Sequence, residues 1–74
     1  MTKRPKKRSL TLKGHRTSVS LEDPFWEEFR KLAANQSRPI NDLASEIDSG
    51  RGGDIGLASA IRLYILRQLT HPDG

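Results

Sequence analysis

The chain has 74 residues, no cysteine, 30% charged side chains and a formal net charge of +4. That length allows one small domain with a limited apolar core, and without cysteine neither disulfides nor a thiolate zinc site can reinforce it. Association with a second copy is then the expected source of added stability. His15 and His71 stand apart from any carboxylate cluster. No metal site, cofactor, general acid–base pair or enzymatic activity is therefore predicted.

The charge is unevenly placed. Residues 1–16 hold seven basic side chains and no acid, whereas residues 17–74 hold six basic and nine acidic ones, a net of −3. A cationic start on a mildly acidic body points to a polyanion bound at one face. The basic start runs into no continuous apolar stretch, and no segment reaches membrane-spanning length. A soluble, cytoplasmic protein with no membrane partner is expected.

Residues 1–13 read as a flexible basic arm, rich in Lys, Arg and Pro. Lys3, Arg4, Lys6, Lys7, Arg8 and Lys13 are its candidate phosphate contacts; a plain solubilising tail and an import signal at Pro5–Arg8 are the other readings of that composition. Leu10–Lys13 alternates, but Gly14 interrupts it, which suggests a bulge or the entry of the arm. Arg16–Leu21 then forms one alternating strand. Thr17, Val19 and Leu21 fall on one face, and Arg16, Ser18 and Ser20 on the other. No second strand follows to satisfy its backbone groups, so the expected partner is the same strand of a second copy.

Three helices follow. Asp23 and Pro24 open the first, whose stripe is Phe25, Phe29, Leu32 and Ala33, ending near residue 35. Aromatic side chains at that spacing, Trp26 included, read as core rather than as a base-stacking platform. The second begins near Pro39 and carries Ile40, Leu43, Ala44 and Ile47 at helical spacing. A glycine-rich break, Asp48–Asp54, ends it, and the run Arg51–Gly56 lacks the features of a phosphate loop and reads as a connection. The third, about residues 57–70, is apolar nearly all round and calls for burial, again against a second subunit. No internal repeat is apparent. Val19, Leu21, Phe29, Leu43, Ile47, Ile61 and Ile65 form the expected dimer core.

In this order, Gly14-His15-Arg16-Thr17-Ser18-Val19-Ser20-Leu21-Glu22, Phe25-Trp26, Ser45-Glu46-Ile47-Asp48 and Ala58-Ser59-Ala60-Ile61-Arg62-Leu63 resemble the ribbon-helix-helix (MetJ/Arc-type) family over residues 14–69. The resemblance implies a mainly α fold, one β-strand followed by three helices, in an intertwined homodimer with a two-stranded antiparallel ribbon. It implies a domain over residues 14–70, leaving 71–74 as a tail. It also implies a sequence-preferring, nucleoid-associated repressor whose ribbon enters the major groove of double-stranded DNA. By position, Arg16, Ser18 and Ser20 would face bases, and the backbone N–H groups of Ile40 and Asn41 would hold a phosphate. Pro39 stands where the family usually has a capping Ser or Thr, and the third helix is additional. An antitoxin with a protein partner and a non-specific architectural binder are the alternative readings.

Overall fold

The computed structural model describes residues 4–71. The expected phosphate contact at Lys3 and residues 72–74 of the expected tail lie outside them. The described chain folds as two strands, β1 (Lys6–Leu12) and β2 (His15–Leu21), then three helices, α1 (Asp23–Asn35), α2 (Ile40–Gly50) and α3 (Leu57–Thr70).

The two strands correct the sequence reading. Residues 6–12, expected within a flexible arm, pair antiparallel with β2 in a register running from Lys6↔Leu21 to Leu12↔His15. The strand at 16–21 thus has its partner in the same chain, ahead of it rather than after it. Leu12 and His15 are joined through Lys13 and Gly14 alone, and both of these have positive φ, +51° and +84°. Two consecutive left-handed residues make the tight turn whose twist suits a hairpin. Gly14 therefore closes a hairpin instead of interrupting a strand or marking a bulge. Lys-Gly is a less common turn pair than Asn-Gly, which is why the signal is faint in sequence.

Helix boundaries follow local chemistry. α1 starts one residue earlier than Pro24, with Pro24 in its first turn, where a missing N–H costs nothing. At its other end, Ser37 takes a left-handed φ of +54°. The Ser37 N–H donates to the Ala34 carbonyl and the Arg38 N–H to the Ala33 carbonyl, both at 3.0 Å, the paired bonds of a Schellman cap. Pro39 caps α2, and Gly56 caps α3 after the glycine-rich break.

The hairpin lies on the helices with one face down. α2 lies against β1, α3 against β2, and α1 packs against both helices. Leu10, Val19, Leu21, Phe29, Ala33, Leu43, Ala44, Ile61 and Ile65 form the buried cluster, with Ile47 partly buried at its margin. The residues assigned to a dimer core thus already make a core within one chain, and Leu10 of β1 completes it. α3 is buried along Ala60, Ile61 and Ile65, yet Leu63, Leu66 and Leu69 stay 49%, 56% and 59% exposed. Its all-round apolar character is only partly used.

Candidate nucleic-acid interface

Strand alternation and the register sort the hairpin side chains into two faces. Arg8, Leu10 and Leu12 of β1 and Thr17, Val19 and Leu21 of β2 turn toward the helices. Lys7, Ser9 and Thr11 share the outer face with Arg16, Ser18 and Ser20, paired as Lys7↔Ser20, Ser9↔Ser18 and Thr11↔Arg16. All six are exposed. The face carries two cations and four hydroxyls and no carboxylate. Arg can grip guanine O6 and N7 with two N–H groups, and hydroxyls both donate and accept at base edges.

Sequence reasoning placed Arg16, Ser18 and Ser20 on this face but missed Lys7, Ser9 and Thr11. A signal was available. Lys7-Arg8-Ser9-Leu10-Thr11-Leu12 and Arg16-Thr17-Ser18-Val19-Ser20-Leu21 share cation, serine, aliphatic, hydroxyl and leucine at matching positions, nine residues apart. This repeat corrects the reading that the chain has none.

The other basic residues divide by face. Arg8 is turned inward, its guanidinium 5.2 Å from the centre of the Trp26 ring and bonded to the Asp23 carboxylate. Its side chain is only 17% exposed, so it serves the fold rather than the outer face. Lys6 also approaches Asp23, at 3.6 Å, while remaining 60% exposed. Lys13 on the turn donates from Nζ to Ser49 Oγ at 3.1 Å, which ties the hairpin end to α2. Arg4 is exposed ahead of β1. Trp26 packs 6.2 Å from Phe29, centre to centre, as a core-edge residue and not a base-stacking platform.

Both edges of the hairpin are held by side chains. On the β1 edge, the Thr11 N–H donates to Asn41 Oδ1 at 3.1 Å, so the Asn41 side chain serves the sheet. On the β2 edge, Arg62 from α3 donates to the Ser20 carbonyl at 3.1 Å and to Glu22 Oε1 at 2.8 Å. The Arg62 guanidinium also sits 5.6 Å from the centre of the Phe25 ring. Hydrogen bonding from Arg62 is the main reason the Glu22 carboxyl titrates below its ordinary value.

Residues 5–69 match the model of a protein family described as a ribbon-helix-helix domain. The chain belongs to that family.

No curated protein and no solved structure matches it. Ribbon-helix-helix domains bind DNA, and membership carries that general function to this chain. The phosphate position expected of a ribbon-helix-helix protein is the start of α2. Here Asp42 and Leu43 donate their N–H groups to the Pro39 carbonyl, at 3.0 and 3.2 Å. Among the described residues, the Ile40 and Asn41 N–H groups find no acceptor, so they stand open at the helix start. Arg38, a cation that the sequence reading did not single out, lies beside them, bonded to the Asp42 carbonyl at 3.3 Å and paired with the Glu46 carboxylate at 2.5 Å. No helix among the described residues is long and apolar enough to cross a membrane.

Proposed function

We propose that this ribbon-helix-helix protein is a transcription regulator, acting as a repressor, that seats the outer face of its β1–β2 hairpin in the major groove of double-stranded DNA. The observation that carries this reading is the six-residue exposed face of cations and hydroxyls, free of carboxylates, on a two-stranded ribbon. A ribbon of two strands matches the groove's width of about 12 Å, and an all-donor-and-acceptor face matches its base edges.

Affinity and preference fall to different groups. Lys7, Lys13, Arg4 and the open N–H groups of Ile40 and Asn41 are assigned to phosphates, with Arg38 in support. Such contacts fix position without reading sequence. Arg16, Ser18 and Ser20 are assigned to bases. Two copies acting together would cover the exposed leucines of α3, which is the surface a homodimer would use.

Binding of a labelled duplex, followed by fluorescence anisotropy over a range of salt concentrations, tests the reading. Each phosphate contact contributes about −0.9 to the slope of log K against log salt. Lys7→Ala should therefore flatten the slope by up to about one contact, whereas Arg8→Ala should leave it unchanged and lower stability instead. Salt-independent or absent binding would overturn the proposal.

A further inference from the structure

In an antiparallel pair, facing residues alternate between two kinds: those that exchange ladder hydrogen bonds, and those whose N–H and C=O point off the two edges. The Thr11 N–H reaches Asn41 and the Ser20 carbonyl receives Arg62, so Thr11↔Arg16 and Lys7↔Ser20 are pairs of the second kind. Ser9↔Ser18, two residues along from each, is of the same kind. The side chains of the outer face therefore belong to residues whose own peptide groups take no part in the ladder between β1 and β2. At Ser20 a side chain of α3 supplies the hold instead.

We propose that Arg62 is a positioning residue for base reading: by fixing the Ser20 carbonyl, it sets where the Ser20 hydroxyl meets a base edge. The proposal rests on the assignment of Ser20 to bases given above. The contact is internal to one chain, so every copy in a DNA-bound assembly repeats it.

The geometry suits this task. Arg62 presents a rigid planar fork. Its Nη2 donates to the Ser20 carbonyl at 3.1 Å and to Glu22 Oε1 at 2.8 Å, while Nε donates to the same Oε1 at 3.1 Å. The Phe25 ring, centred 5.6 Å from the guanidinium carbon, supports the plane of the fork. Glu22 and Phe25 thus set the angle at which the fork meets Ser20. A lysine ammonium keeps the charge for Glu22 but has no second arm at a fixed angle to the carbonyl. Base reading by Ser20 is sensitive to that loss, because a hydroxyl on a short stem reaches only as far as its backbone places it. Arg16, with a long side chain, can make up for a small backbone displacement.

Selection of bound duplexes from a random pool, repeated with variants of the full chain, tests this, with circular dichroism to check that each variant is folded. Ser20→Ala and Arg16→Ala first mark the base positions that depend on each residue. Arg62→Lys should then lower preference at the Ser20 position by roughly 2- to 12-fold, the range for one hydrogen bond, and leave the Arg16 position unchanged. The salt dependence of binding should also stay the same, because the charge is kept. Arg62→Lys combined with Ser20→Ala should lose no more than Ser20→Ala alone, since both remove one contact. Should Arg62→Lys lose its helicity, Glu22→Gln takes its place: it removes the charge that steers the fork and should relax the Ser20 position alone. A Ser20 position kept intact in the folded variant overturns the inference, leaving Arg62 a part of the fold and DNA reading in place. Losses that add in the double variant, or that fall equally on the Arg16 position, overturn it as well. So does unchanged preference in Ser20→Ala, since Arg62 then has no reading residue to position. A wild-type pool with no enriched core removes the groove reading itself, and this inference with it.

Discussion

Arg8 and Lys7 are adjacent cations with opposite duties, and strand alternation alone separates them. Lys7 points out to solvent, while Arg8 stacks on Trp26 and pairs with Asp23. Glu22 and Arg62 play a similar part at the other edge, where one guanidinium serves a carboxylate, the Ser20 carbonyl and the Phe25 ring. Because the Glu22 carboxyl is held below its ordinary value of 4.5, the bond stabilises the fold fully above that value. That contribution is lost as pH falls through the lower folded value. Thermal melts from about pH 5 to about pH 3 should show a shallower loss for Glu22→Gln than for wild type. Parallel pH profiles for the two would show that Glu22 is not a source of acid sensitivity.

At the scale of elements, the hairpin depends on its turn more than on either strand's propensity. Gly14 holds φ at +84°, and a Cβ built there meets nothing within 4 Å. The cost of a side chain is then backbone strain rather than collision. Gly14→Val should destabilise the protein by about 1–2 kcal/mol, read from the urea midpoint at constant slope. Gly53→Ala, in the connection before α3, also meets open space and lacks the positive φ, so it should be close to neutral. Equal losses at both positions would show that the turn has no special conformational demand. The helices were more legible than the hairpin, because their apolar spacing and the Pro and Gly at their ends are local signals. The Schellman cap at Ser37 was hidden, since Gly is the usual residue in that conformation.

For the whole molecule, the question is how much of α3 one chain can cover. Phe29, Leu43, Ile61 and Ile65 are fully or almost fully buried within the chain. Leu66 and Leu69 lie on the helix stripe that carries Arg62 and are left exposed. Leu66→Glu should shift a homodimer toward monomer by at least tenfold in dissociation constant, measured by sedimentation equilibrium, with helicity retained. An unchanged dimer would place the contact elsewhere, and a wild-type monomer at high concentration would leave those leucines outside any self-association.

The residues from Arg16 onward determined by themselves the helix order, most of the core, the inward and outward faces of one strand and the family likeness. These depend on periodicity within a single element, which side-chain order alone displays. Pairing was decided only by the tertiary structure. Whether β2 meets a second copy or the segment before it depends on a two-residue turn, on Leu10 finding the core, and on Asn41 and Arg62 securing the edges. Those are contacts between residues distant along the chain, and they turn a basic arm into the second strand of the ribbon.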